Sequence, residues 1–214
     1  MLNLSLATFI SRAITLVIAF TFHEFSHAWV AKQFGDDTAE RAGRLTLNPL
    51  KHLDPIGTIM LLVGGFGWAK PVPINRYALD KRSSSAELFV SLAGPVSNLL
   101  LAILAAIPFR TGLIHFSSSG SFYFPSLSQF LMEFIVINLA LLLFNLIPIS
   151  PLDGEKVLIA VAPPKVSGFL YTIRPYGPLI LLALIMLGRI GSLDVLGLLM
   201  GPPLSALFRL LVGV

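Results

Sequence analysis

The 214 residues make a one-domain length, but 55% of them are hydrophobic, only 12% are charged, and the mean hydropathy is +0.84. A soluble domain carries about 25% charge, so a chain this apolar cannot cover its own surface with polar groups, and its solvent is lipid. The net charge of +4 falls mostly in short loops beside apolar runs, which is the pattern of membrane topology rather than nucleic-acid binding, and the absence of cysteine excludes disulfides and thiolate metal sites.

In chain order, the first apolar stretch covers Met1 to Ile10, is interrupted by Arg12, and resumes as Ala13–Ala31 around a central polar cluster. A signal peptide wants its positive charge before the apolar run and a small-residue cleavage site after it. This run ends instead in Lys32 and keeps a helix-compatible pattern, so it reads as a retained membrane helix. Its 19 residues reach nearly across a hydrocarbon core of about 30 Å. A polar stretch from Lys32 to Asp54 follows. The segment Pro55–Trp68 is apolar but too short and too glycine-rich to span. With Pro71 and Pro73 just beyond, it reads as a membrane-dipping hairpin, which is tolerated only against protein or a wet cavity.

A second polar loop holds Arg76, Asp80, Lys81 and Arg82. Helices are expected over Ala86–Phe109 and Ser126–Leu146, the latter broken by Pro148 and Pro151. Pro163 and Pro164 mark another break, and Tyr176–Leu187 and Val195–Val212 make a fourth and a weaker fifth span. The fold class is therefore all-α: a polytopic membrane protein of four to five transmembrane helices. Residues 1–214 form one integral-membrane unit, with a core over about 13–160 and extra helices over about 176–212.

Lysine and arginine set the orientation. Lys32, Arg41, Arg44, Lys51, Lys70, Arg76, Lys81 and Arg82 lie between the first and second helices, and Lys156, Lys165 and Arg174 follow the third. With Arg209 assigned to the same side, twelve basic residues face Arg12, Arg110 and Arg189 on the other. The basic side is expected in the cytoplasm, with the N-terminus outside the cell membrane.

Inside the first apolar run stands Thr21-Phe22-His23-Glu24-Phe25-Ser26-His27. Ionisable residues in the middle of a spanning helix are costly and by default mark function. His23 and His27 are four apart, so both imidazoles leave one helix face and can grip one tetrahedral ion. Glu24 sits one residue on, within reach of a water at that metal without ligating it. This is the H-E-x-x-H arrangement of zinc hydrolases. A third ligand is then needed. His52 and His115 lie in loops and read as surface or interfacial residues, and Glu133 falls near the outer end of its helix. Asp153 follows a proline-broken helix end and could turn back into the bundle, but it reads equally as an N-cap for the segment beginning at Glu155. Asn98 reads as a helix-packing residue, and Asn145 as either an oxyanion donor or a helix-to-helix hydrogen bond.

These motifs together resemble the site-2 proteases, intramembrane zinc metalloproteases. The resemblance runs from about Phe20 to Lys156. It takes in H-E-x-x-H, Gly43-Arg-Leu-Thr-Leu-Asn48-Pro49, Gly67-Trp68-Ala69-Lys70-Pro71-Val72-Pro73, Ala93-Gly94-Pro95 with Asn98, and N-x-x-P-x-x-P-L-D-G from Asn145 to Gly154. It implies that His23, His27 and Asp153 ligate one Zn2+, that Glu24 is the general base, and that Asn145 helps hold substrate or the oxyanion. It implies as partners a transmembrane protein substrate, such as a membrane-anchored regulator, and the lipid bilayer. Association with a second copy stays open. The length leaves no room for a PDZ or CBS domain. Ser150 before Pro151 and Glu155 after Asp-Gly depart from many relatives without touching a ligand position. A zinc transporter could use the same ligands but has no need of Glu24, and an inactive scaffold has no need of the intact H-E-x-x-H.

Overall fold

A computed structural model describes residues 5–57, 60, 67–116, 123–190 and 193–213. Its long helices are α1 (Leu6–Gln33), α4 (Ala86–Arg110), α5 (Leu127–Asn145), α8 (Gly177–Ile190) and α9 (Val195–Val212). Shorter ones are α2 (Thr38–Arg41), α3 (Arg76–Arg82), α6 (Asp153–Val161) and α7 (Pro164–Ile173). Extended pairing among the described residues is limited to one antiparallel bridge, Leu53 to Ala69. The glycine-rich hairpin expected within Pro55–Trp68 falls largely on residues 58–59 and 61–66, which lie outside the described residues.

Helix α1 starts earlier than the hydropathy suggests. The Ser5 hydroxyl accepts from the Thr8 N–H at 3.2 Å and caps it. Arg12, which seemed to interrupt the run, lies inside the helix and pairs with Glu133 of α5 at 2.8 Å. The buried face of α1 is a column of every fourth residue: Ala7, Ser11, Thr15, Ala19, His23, His27 and Ala31. Helix α4 carries a matching column in Ala86, Val90, Gly94, Asn98, Ala102 and Ala106. Lipid tails are as apolar as leucine, so no hydrophobic drive pulls membrane helices together. Small residues that admit close backbone approach do so through packing. The two columns run antiparallel against each other, and α5 closes the third side with Phe134, Ile135, Leu139 and Leu142 in one core with Ala102, Ala105 and Phe109.

Five segments are long and apolar enough to cross a membrane: Leu6–Gln33, Ala86–Arg110, Leu127–Asn145, Pro164–Gly188 and Val195–Val212. Chain direction separates them. Leu196 and Met200, at the start of α9, pack with Ile147 and Leu152 beyond the end of α5. Near its other end, the Leu210 carbonyl accepts from Arg110 Nη1 at 2.7 Å, at the close of α4. Helix α9 is therefore antiparallel to α5, and α1, α4, α5 and α9 alternate in direction. The run Pro164–Gly188 leads from α6 to α9, and its far end lies beside Asp194 at the start of α9, on the side where α5 ends. Its midpoint is a 3-10 turn, Arg174–Tyr176, and Arg174 there is tied to Glu155 of α6 at 2.6 Å. Residue 209 consequently sits at the Arg110 end, opposite to the side expected for it, and residue 189 sits at the start of α9.

The helix interface makes a stability contrast measurable. Leu139 is fully buried between α4 and α5, whereas Leu104 on α4 is 62% exposed toward lipid. Leu139→Ala should cost on the order of 2 kcal/mol through lost packing, the low end for such a truncation because lipid adds no hydrophobic term. Leu104→Ala should stay within about 0.5 kcal/mol. Reversible unfolding in mixed micelles compares the two, and equal losses would contradict this core.

Candidate metal centre

Helix α1 delivers three of the predicted side chains. His23 and His27 meet edge to face with ring centroids 4.7 Å apart and Nε2 atoms 3.0 Å apart. Asp153, the first residue of α6, brings Oδ2 to 3.2 Å from His23 Nε2 and 3.1 Å from His27 Nε2. All three residues are buried, and together they form a group able to hold a metal ion. The sequence left Asp153 between ligand and cap, and in the structure its side chain makes no cap hydrogen bond. Leu152 is the N-cap residue and no side chain caps this helix, so the Asp153 carboxylate turns to the histidines. Gly154 makes the approach feasible, because a Cβ there would strike the Leu146 and Ile147 carbonyls at the end of α5.

The chemistry of the donor set fits a cation. His27 Nδ1 lies 2.7 Å from the Val90 carbonyl oxygen, which can only accept, so that nitrogen carries the proton and Nε2 presents a lone pair. The Asp153 carboxylate is likewise an acceptor. Acceptors gathered in a dry interior are unfavourable without a positive centre among them. Separations of 3.0–3.2 Å are close to the edge of a tetrahedron, roughly 3.3 Å, whose corners lie about 2.0–2.1 Å from its centre. Gly94 of α4 keeps that space open, since a Cβ at this position would run into both imidazoles. The other Asp153 oxygen, Oδ1, accepts from Lys156 Nζ at 3.2 Å, so both oxygens of the carboxylate are engaged.

Glu24 is buried beside this group, and its Oε2 accepts from the Val72 N–H at 2.9 Å. Val72 belongs to an extended strap, Ala69–Pro73, that is braced from two directions. The Lys70 N–H donates to the His52 carbonyl at 2.8 Å. The buried Arg44 guanidinium donates to the Lys70 carbonyl at 2.5 Å and to the Pro71 carbonyl at 3.2 Å. The two loop motifs thus meet in space, the first gripping the second so that a backbone N–H holds Glu24. Sequence reading missed Val72 because it contributes a backbone group that any residue except proline offers. Arg44 carried a signal, as a charged residue inside a motif with no chemistry of its own.

The remaining candidates fall as follows. Asn145 makes no hydrogen bond to His23, Glu24, His27 or Asp153, and its amide donates to the Leu141 carbonyl at 3.0 Å within α5. Asn98, read as packing, lies with Oδ1 2.8 Å from His23 Nδ1. His52, expected at a surface, is fully buried, with Nε2 2.7 Å from the Thr46 carbonyl. His115 and Glu133 are not part of the group, which consists of His23, His27 and Asp153, and Glu133 pairs instead with Arg12.

Residues 11–112 match the sequence model of peptidase family M50. YwhC of Bacillus subtilis, which bears the name of a zinc metalloprotease, is 47% identical over 173 residues, covering 80% of this chain and 78% of its own. The chain belongs to peptidase family M50, the site-2 proteases. MJ0611 of Methanocaldococcus jannaschii, named in the same way, is 32% identical over 156 residues and 73% of each chain. Rip2 of Mycolicibacterium smegmatis is 32% identical over 179 residues, 79% of this chain and 64% of its own. No solved structure gives a significant match. This site-2 protease is thus a membrane zinc metalloprotease and a peptide hydrolase, with a buried His-His-Asp group that could bind the metal.

Gly94→Ala tests the site-2 protease's metal space without touching a donor atom. The added methyl should lower zinc affinity by at least about tenfold, comparable to losing an outer-shell partner, while helix content is unchanged. Zinc content after dialysis against a weak chelator reads it, and full retention would show that the ion sits elsewhere.

Proposed function

We propose that His23, His27 and Asp153 hold the catalytic zinc, that Glu24 is the general base, and that the substrates are membrane segments of other proteins. The observation that carries this reading is the convergence of three buried acceptors within 3.2 Å of one another, next to a carboxylate held by a backbone N–H. When bound, zinc acidifies water and polarises the scissile carbonyl. Glu24 takes the proton of the attacking water and returns one to the leaving amine. The Val72 N–H fixes one oxygen of that carboxylate, leaving the other to face the water. Asn145 spends one amide hydrogen on Leu141 and keeps a second, which suits it to an oxyanion. Lys156 and the Arg174–Glu155 pair fasten α6, and so orient Asp153.

An apolar cavity of about 670 Å³ supports a membrane-segment substrate. It extends from Arg12 and Glu133 at one end to Phe20 and Phe144 at the other. Phe20 lies one turn before His23, and Phe144 adjoins Asn145, so one end of the cavity borders the segments that carry the site. Its apolar walls suit side chains that have come from a bilayer. A transported ion would need further donor groups along its path. Among the described residues, one group of three metal-capable side chains is present.

The proposed orientation puts the N-terminus outside and the site toward the cytoplasmic side of the cell membrane. Moving residue 209 to the outer side and residue 189 to the inner one leaves the basic count at twelve against three. Cysteines introduced singly into this cysteine-free chain report the sides. Arg41→Cys and Lys81→Cys should resist an impermeant thiol reagent in intact cells, and Leu113→Cys should label. The opposite pattern would reverse the orientation.

Glu24→Gln separates hydrolysis from metal passage. The glutamine oxygen can still accept from Val72, but it cannot take a proton. Zinc should remain bound, while cleavage of a membrane-embedded peptide in proteoliposomes falls by about 100-fold or more. Wild-type cleavage with zinc present would sink the general-base assignment.

A further inference from the structure

We infer that Asn98 and Asn138 form a directional amide relay that fixes which nitrogen of His23 carries its proton, and so presets His23 to ligate through Nε2. The inference rests on the proposed metal centre and adds two positioning residues to it.

His27 needs no relay, because its Nδ1 faces a backbone carbonyl directly. His23 Nδ1 instead faces the side chain of Asn98, and an amide can present either an oxygen or an NH2 group. Left to itself, Asn98 could turn over. It would then donate to Nδ1, leaving the proton on Nε2 and pointing it into the metal space.

Two backbone carbonyls remove that freedom. Asn138 on α5 places its amide 2.9 Å from the Phe134 carbonyl, which can only accept, so the NH2 group must lie there. Its oxygen is then committed as acceptor toward Asn98, 3.0 Å away, and the Asn98 NH2 group must point at it. The Ala19 carbonyl, 3.5 Å from the same NH2 group, favours the same orientation. Asn98 therefore turns its oxygen to His23, and Nδ1 must be the protonated nitrogen. Turning either amide over would set two acceptors or two donors face to face. Asn98 and Asn138 are both fully buried, so bulk water cannot repair such a mismatch.

The relay crosses α1, α4 and α5, and its far member touches no candidate ligand. Asn138 acts through polarity alone. That separates it from a packing residue, whose loss would weaken the fold but leave the intrinsic zinc affinity unchanged.

The test uses the full chain in detergent, with zinc affinity measured by competition with a chromophoric chelator. Asn138→Leu keeps the bulk and removes the acceptor, and should weaken zinc binding by about 10–100-fold, the usual effect of an outer-shell loss. Asn138→Asp, as a neutral buried acid, can still accept from Asn98 and donate to Phe134, and should restore most of that affinity. Wild-type affinity in a folded Asn138→Leu protein would overturn the relay while leaving the metal centre intact.

A second measurement needs no relay variant. In the cadmium-113 form of the nitrogen-15-histidine protein, the metal should couple to Nε2 of His23. Its signals are identified among four histidines by their loss in His23→Gln. Coupling to Nδ1 would overturn the relay, and coupling to neither His23 nor His27 would take the metal centre down with it.

Discussion

The close approach of α1 and α4 is the constraint on which everything else depends. Both helices bury a column of residues spaced by four, small except where the chemistry sits, and the columns face each other along their length. Because the spacing that aligns small residues also aligns His23 with His27, the packing surface and the candidate metal-binding surface are one surface. Gly94 occupies the point on α4 opposite both imidazoles, where even one methyl group has no room. Packing in lipid gains little from the hydrophobic effect, so a fit of this kind has to come from shape.

Around that pair the protein surrounds each functional group with fixed partners. His27 is tied to a carbonyl, His23 to an amide, Asp153 to Lys156, and Glu24 to the N–H of Val72. Most of these partners come from a different segment than the group they hold. The buried Arg44 guanidinium donates to two carbonyls of the strap, whose dipoles offset part of its desolvation cost without cancelling its charge. The cost is borne where Glu24 must be held.

The chain beyond α6 serves the site less directly. Helix α9 runs back along α5, and with α8 it walls the apolar cavity through Ile185, Met200 and Phe208. The segment from Pro164 to Gly188 has the length and composition of a span, yet it breaks at a 3-10 turn held to α6 and hands over to α9 on the side where α5 ends. Hydropathy measures what a segment tolerates as solvent. Whether the segment crosses depends on which neighbours receive its two ends.

The sequence by itself determined the lipid environment, the three central helices and the H-E-x-x-H face, because hydropathy and a spacing of four are local properties of a helix. Resemblance across several motifs also pointed to Asp153 as a companion of the two histidines, where spacing alone left it as either ligand or cap. Tertiary structure decided what involves groups distant along the chain. The turn of the Asp153 carboxylate depends on Gly154 meeting the end of α5. Asn98 became a partner of His23 through the register of α4 on α1, and a backbone N–H at Val72 leaves no trace in residue identity. His52 looked like a surface histidine because polar loops usually face solvent, whereas the folded loop buries its ring with Nε2 on the Thr46 carbonyl. The side on which residue 209 falls was likewise unreadable, since it depends on the reversal between α6 and α9 rather than on any feature of α9 itself.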